Sequence, residues 1–336
     1  MATIKDVARL AGVSVATVSR VINDSPKASQ ASREAVHNAM AELRYHPNAN
    51  ARALAHQHAE TLGLVVADVS DPFFGAMVKA VDSTARATGN FLLISNSYHD
   101  AEMERQAIEQ LLRHRCSALV VHAKMLPDAE LSAFMRHVPG MVLINRILPG
   151  FESRCVALDD RHGGWLATRH MIQEGHHAIA FICSDHPISD ANDRLEGYSA
   201  ALNEQGITVE TRLIARAAPN EAGGEAAMRE LLSRGVHFSA VVCYNDSMAA
   251  GALAVLSDNG ISVPQTLSLI GFDDVLIARY LRPRLTTIRY PVIAMSTQAA
   301  ELAIALAQGL ALAAVTNTFT PTLVRRHSVQ SITSAR

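Results

Sequence analysis

The sequence predicts an α/β protein in which a small all-α head carrying a helix-turn-helix precedes a two-lobed core of parallel sheets. Two patterns and one quantity support this. Thr3 to Arg20, TIKDVARLAGVSVATVSR, reads as two short helices around a glycine turn. From residue 61 onward, short continuous apolar runs alternate with helical stretches, the signature of buried parallel strands covered by helices. The length of 336 residues at 49% hydrophobic content fits two to three domains with substantial buried cores.

In the head, residues 1–46, Ile4, Val7 and Ala8 supply the apolar i, i+3, i+4 face of a first helix. Ala11-Gly12 ends it, because glycine readily takes the positive φ of a helix stop. Ser14 is the predicted N-cap of the second helix, and Ala16, Val18 and Val21 are small enough for close helix packing. Asn23-Asp24-Ser25-Pro26 is a turn cluster. Ser29 or Ser32 then caps a third helix through Ala35, Val36, Met40 and Leu43, ending near Arg44. A three-helix core of this size is weak alone.

Such a helix pair lays its second helix in the major groove of double-stranded DNA, N-terminal residues toward the base edges. Val15 and Ala16 are its first outward positions and can touch a thymine methyl. Ser14, Thr17 and Ser19 can bond phosphate or a base edge. Arg20 is the long donor suited to guanine, or else a solvated helix-end charge. Thr3 and Asn23 complete this candidate contact set. Pro47 forces the third helix to end. In the linker, residues 47–60, Asn48 caps a short alanine-rich run, Ala49 to Ala55, that is marginal as a helix in water. Leu54 would be exposed on it. The run reads as a hinge helix that orders on DNA, or as a plain tether.

In the core, strands read at Leu62–Ala67, Phe91–Ser95, Ala118–Val121, Met141–Ile144, Val156–Leu158, Ala178–Cys183, Ala240–Cys243 and Leu267–Gly271. Helices read near Phe74–Thr88, Met103–Arg113, Gly163–Gln173, Asn192–Gln205, Gly223–Ser233, Asp246–Asp258 and Val292–Gln308. One lobe is expected over 61–160 with 290–320, the other over 161–289 with 321–329, and 330–336 forms a tail. Ligands of such sheets sit beyond the carboxyl ends of the strands, so the loops there carry the candidate site. Phe73, in Asp68-Val69-Ser70-Asp71-Pro72-Phe73-Phe74, offers an aromatic loop tip, with Phe74 assigned to the core. Asn145-Arg146, Asp159-Asp160, Arg194, Asn245-Asp246 and Asp273-Asp274 follow other strands or start helices. Forked donors and acceptors at several heights suit a neutral, hydroxyl-rich ligand, although each residue could be a cap or an ion-pair partner. Trp165 reads as packing.

The net charge of −2 carries no nucleic-acid signature overall. Its distribution does: residues 1–58 hold seven Lys/Arg against four Asp/Glu, while the remainder holds 23 against 28. Cys116, Cys155, Cys183 and Cys243 lie in or beside apolar runs without a CxxC, as buried free thiols do. No signal sequence and no run of about eighteen apolar residues appears, so a cytoplasmic protein without a membrane partner is expected. GxGxxG, a Walker lysine loop, HExxH and GxSxG are absent, and Ser184-Asp185-His186 are neighbours in sequence rather than a triad. Neither catalysis nor a cofactor or metal is expected, and His56-Gln57-His58 reads as polar linker.

IKDVARLAGVSVATVSRVIN resembles the head of the LacI/GalR family of bacterial transcription repressors, and the likeness continues through YHPNANARALA, DVSDPFFGAMVKAVD, LINRILPGFE, YNDSMAAGA and LIGFDD. The resemblance implies a periplasmic-binding-protein-like core, a homodimer on a pseudo-palindromic operator and a sugar effector, D-galactose, that releases the DNA. It implies that the Val15-Ala16 position sets operator preference and that Leu54 wedges into the operator minor groove. It places Phe73, Asn145, Arg194, Asn245 and Asp273 on the effector pocket, with Asn145 standing where many members carry Asp. No leucine heptad closes the chain, which fits a dimer rather than a bundled tetramer. The rival readings are a sugar-binding protein without DNA function and an α/β enzyme such as a sugar kinase.

Overall fold

The structure is a computed structural model describing residues 2–22, 25–45, 61–310 and 316–332. Asn23, Asn48 and Leu54, with the whole 47–60 linker, lie outside those residues. The chain divides into two compact units, 1–60 and 61–336.

The first unit contains α1 (Ile4–Leu10), α2 (Val15–Ile22) and α3 (Gln30–Glu42). Thr3 caps α1 in a reciprocal box: its hydroxyl accepts from the Asp6 amide, and its own amide donates to the Asp6 carboxylate at 3.0 Å. Gly12 turns the chain at φ +65°, and Ser14 accepts from the Thr17 amide at 3.1 Å to start α2. Ser29 rather than Ser32 caps α3. Val7, Ala8, Val18, Val21, Val36 and Ala39 form the core. Ala16 is exposed instead of packed, because it lies on the face of α2 opposite Val18 and Val21.

The second unit holds two six-stranded sheets. The first contains β1 (Thr61–Val66), β2 (Phe91–Asn96), β3 (Ala118–Val121), β4 (Gly140–Ile144), β5 (Cys155–Leu158) and the returning β11 (Thr318–Phe319), in the order β11-β5-β4-β3-β1-β2, all parallel. The second contains β6 (Ile179–Ser184), β7 (Ile214–Ala217), β8 (Ala240–Cys243), β9 (Ser268–Asp273), β10 (Thr286–Arg289) and β12 (Thr322–Val324), in the order β12-β10-β9-β8-β6-β7. Only its β10–β12 pair is antiparallel. β1, β3, β4, β6 and β8 are buried almost throughout, as strands covered on both faces must be.

The covering helices are α4 (Pro72–Ala87), α5 (Ala101–Arg113), α6 (Asp128–His137), α7 (Asp160–Gln173), α8 (Ser189–Glu204), α9 (Glu221–Ser233), α10 (Asp246–Asp258), the short α11 (Leu276–Tyr280) and α12 (Val292–Ala307). α12 follows the second sheet but packs on β3 and β4 of the first, so the chain crosses between lobes there. Several helices start two or three residues before the first apolar repeat. The cause is a polar cap: Asp71, Asp100, Asp159 and Asn220 each accept from an amide of the first turn. Phe73 therefore sits in the first turn of α4 and not on a loop tip. α6, α11, β7 and β10 to β12 were not foreseen, being short or mixed in polarity. All four cysteines are free and buried. Among the described residues no helix is long and apolar enough to cross a membrane.

Candidate functional site

The head presents a polar edge with an apolar patch. Ser14, Val15, Ala16 and Arg20 are exposed along one side of α2, while Thr17 and Ser19 are half-buried. Val18 and Val21, on the opposite side, hold the helix to α1 and α3. The Ser14 and Thr17 hydroxyls lie 2.9 Å apart, so the cap is shared between two candidate DNA contacts. Thr3 is the α1 cap.

In the second unit, the carboxyl ends of β1, β3 and β4 from one sheet face those of β6, β8 and β9 from the other. Between them lies a narrow cavity of about 60 Å³ lined by residues from both sheets. Phe73 and Tyr290 form one corner, ring centroids 4.9 Å apart and nearly perpendicular. Phe74 packs edge-on against His122 at 4.9 Å. Arg194, only 3% exposed, donates to Asp160 at 2.8 Å and to the Tyr244 carbonyl at 2.6 Å, and its guanidinium lies 3.7 Å from Asp273. It also stacks over Phe272 at 3.6 Å. The Tyr244 hydroxyl donates to Asp190 at 2.9 Å. Asn245 caps α10 by accepting from the Met248 amide at 2.8 Å and gives its own amide to the Pro219 carbonyl.

Several buried polar atoms on this wall have no hydrogen-bond partner: Asn145 Oδ1, His99 Nδ1, His122 Nδ1, Asp190 Oδ1 and the Tyr290 hydroxyl. A buried polar atom left unpaired is costly, so four such atoms on residues lining one void mark a place where a ligand supplies the missing bonds, while Asp190 Oδ1 faces the Lys124 ammonium at 3.4 Å. Burial pushes the Asp273 carboxyl up to about 7 and Asp160 up to about 6, in both cases against the pull of Arg194. Burial would also raise Asp190, but Lys124 and Arg194 draw it below the usual carboxylate range. Burial, with His186 adding to it, lowers His99 to about 4, so its imidazole is neutral at pH 7. The cavity therefore presents neutral imidazoles, amides and hydroxyls beside paired charges, with an aromatic corner. That set can grip a hydroxyl-bearing ring on its edges and its C–H face. Among the described residues no group of three or more His, Cys, Asp or Glu is arranged to hold a metal.

Phe73, Asn145, Arg194, Asn245 and Asp273 all line the cavity. Arg146 does not. Its guanidinium is held on the Ala123 carbonyl at 3.0 Å and Asp128 at 2.6 Å, beside a neighbouring opening that Asn145 shares. Asn145 takes φ +61°, which turns consecutive side chains apart and explains the split. Sequence reasoning missed His99, His122, Asp190, Tyr244 and Tyr290. His122 directly follows β3 and Tyr244 directly follows β8, so the rule of looking just beyond a strand reaches both. Asp190 sits in the first turn of α8, where no motif marked it. Trp165 is half-buried and donates to Glu204 at 2.8 Å, a packing role on the α7–α8 surface away from the cavity.

Residues 3–48 match the model of bacterial regulatory proteins of the lacI family, and residues 168–329 match the periplasmic binding protein-like domain. Over 331 residues the chain is 71% identical to the HTH-type transcriptional regulator GalR of Escherichia coli strain K12, covering 98% of this chain and 96% of that protein. The chain belongs to the lacI family. It is also 56% identical to the HTH-type transcriptional regulator GalS of Salmonella typhimurium strain LT2, over 98% of this chain and 97% of the relative. The crystal structure of the Lac repressor dimer bound to operator and the anti-inducer ONPF aligns with a TM-score of 0.84 at 27% identity, covering 98% of this chain and 99% of that one. This lacI-family member is a DNA-binding transcription regulator and not an enzyme, and its helix-turn-helix head and two-lobed parallel-sheet core are the family's architecture.

Proposed function

We propose that this chain is a cytoplasmic, homodimeric repressor of sugar-metabolism genes that D-galactose releases from operator DNA. The observation that carries the effector half is the presence of Asn145, His99, His122 and Tyr290, each with an unpaired buried polar atom, around one cavity against Phe73. A hexose supplies hydroxyls for those atoms and a C–H face for the rings. The near-full-length likeness to GalR supports galactose over other hexoses. The lobes are 61–160 with 290–320 and 161–289 with 321–329.

For the DNA half, α2 enters the major groove with Val15 and Ala16 at base edges and Arg20 on guanine, while Ser14, Thr17, Ser19, Thr3, Asn23 and Asn48 position the backbone. Residues 47–60 form the hinge and Leu54 the minor-groove wedge. Dimerisation is supported by exposed apolar side chains in both lobes: Phe91, Leu93, Ile94 and Tyr98 on and beside edge strand β2, and Leu276 and Tyr280 on α11.

The test is an operator-binding titration of the full-length protein at fixed salt, with and without D-galactose, with D-glucose as control. Operator affinity is expected to fall with galactose alone. An unaltered affinity at saturating galactose rejects the effector assignment, and absence of sequence-specific binding rejects the operator role.

A further inference from the structure

Lys124 and Asp190 come from opposite walls of the cleft. Lys124 follows β3 of the first sheet, and Asp190 lies in the first turn of α8, which covers the second. Their charged groups are 3.4 Å apart with side chains 2% and 7% exposed. This ion pair joins the first sheet's side of the cleft to the second's. Its platform on the first lobe is rigid: the buried Glu104 carboxylate accepts from the backbone amides of Lys124, Met125 and Leu126 at 2.8 to 3.1 Å. The Lys124 ammonium also donates to the Asn145 carbonyl. On the second lobe, Tyr244 holds the other oxygen of Asp190.

A buried ion pair is not automatically favourable, because each charge gives up its water. Here the Asn145 carbonyl takes a second bond from the ammonium, Tyr244 donates to the other carboxylate oxygen, and Asp190 stays ionised in spite of burial. Attraction therefore exceeds desolvation at this carboxylate. Deleting the lysine would leave the buried Asp190 carboxylate without the cation that reaches it from the first lobe.

We propose that the Lys124–Asp190 pair is a cross-cleft latch: a positioning pair that favours the closed arrangement of the lobes before sugar enters. A ligand that requires closure has an apparent Kd equal to its intrinsic Kd divided by the fraction already closed. The latch raises that population, and so raises apparent affinity without the lysine touching the sugar. This inference rests on the cleft being the sugar site.

The test uses the full-length dimer as wild type, Lys124→Met, Asp190→Asn and the double variant, with D-galactose titrated by calorimetry. Each single variant is expected to raise the galactose Kd roughly tenfold or more, with the double variant no worse than the poorer single. Losses that multiply to within about twofold of independence overturn the latch. Amide hydrogen exchange without sugar supplies a readout that ligand contact alone does not move. Residues 188–193 should exchange faster in Lys124→Met than in wild type, while β6 and β8 stay unchanged. Unchanged exchange at 188–193 also overturns the proposal. If Lys124→Met does not fold, Lys124→Gln, which keeps a donor for the Asn145 carbonyl, is measured in the same way. Should wild type bind no galactose, the effector reading fails, and the sugar-free exchange comparison still decides the latch.

Discussion

Arg20 is exposed on the side of α2 that the helical core does not use, at the end of a helix whose N-terminus carries only Ser14, Val15 and Ala16 outward. A guanidinium there reaches a guanine edge through two parallel bonds, whereas a phosphate would take the same charge at any sequence. Arg20→Ala should therefore cost operator binding about 1–3 kcal/mol and leave binding to random duplex nearly unchanged. Equal losses on both in a salt-matched filter assay would move Arg20 to the backbone contacts. His99 makes a second residue-level prediction, in pH. Its imidazole drops from 6.5 to about 4 in the fold, mainly through burial. The folded chain thus binds fewer protons than the unfolded chain between those values. Stability from this group is complete above pH 6.5 and is lost as pH falls through 4, by up to about 3 kcal/mol. In His99→Gln that portion of the acid loss should vanish. Chemical denaturation of both proteins at pH 7 and pH 4.5 measures it, and parallel losses would contradict the assignment.

At the scale of elements, the crossing of α7 and α8 places the Asp160–Arg194 pair. A Cβ on Gly164 would lie 2.1 Å from the Arg194 carbonyl, and one on Gly197 would lie 2.0 Å from the Arg161 carbonyl. The two helices can touch at that depth only because both positions are glycine. Gly197→Ala should force them apart, destabilising the core by about 1–3 kcal/mol and weakening galactose binding as Arg194 leaves Asp160. Gly75→Ala, on α4, meets nothing within 4 Å and has ordinary helical φ, so it should be neutral or slightly stabilising. Thermal unfolding and galactose calorimetry of the two variants distinguish these outcomes. Such close approach is invisible to periodicity, which sees glycine only as a weak helix former. The long buried elements were legible because the strands are continuous apolar runs and the helices repeat apolar residues at 3.6. Edge strand β7, with Arg216 between Ala215 and Ala217, and β10, half threonine, carry no such run. In the cavity, residues directly after strands were legible as a class. Asp190 and Tyr290 were not, because Asp190 lies several residues beyond β6 in the first turn of α8 and the strand that Tyr290 follows, β10, carries no apolar run.

At the scale of the whole molecule, effector and operator act on one equilibrium. The cleft is formed by two sheets that the chain joins at several crossings, one of them just before α12, whose helix packs on the first sheet after β10 leaves the second. A change in the angle between the sheets therefore moves covering helices and edge strands together rather than one loop. Sugar lowers operator affinity only by as much as it prefers the arrangement that does not fit DNA. Linkage then fixes a reciprocal quantity: saturating operator must raise the galactose Kd by the same factor by which saturating galactose raises the operator Kd. Typical couplings give about 5- to 150-fold. Calorimetric titration of galactose into the free dimer and into the dimer saturated with operator, in one buffer, gives one factor, and operator titration with and without galactose gives the other. Equal factors are expected for wild type. Asp273→Asn, which removes the carboxylate facing Arg194, should weaken galactose in both titrations by a similar ratio and leave the operator Kd without sugar unchanged. A shift in the sugar-free operator Kd of that variant would show that Asp273 sets the resting balance between arrangements instead of reading the sugar.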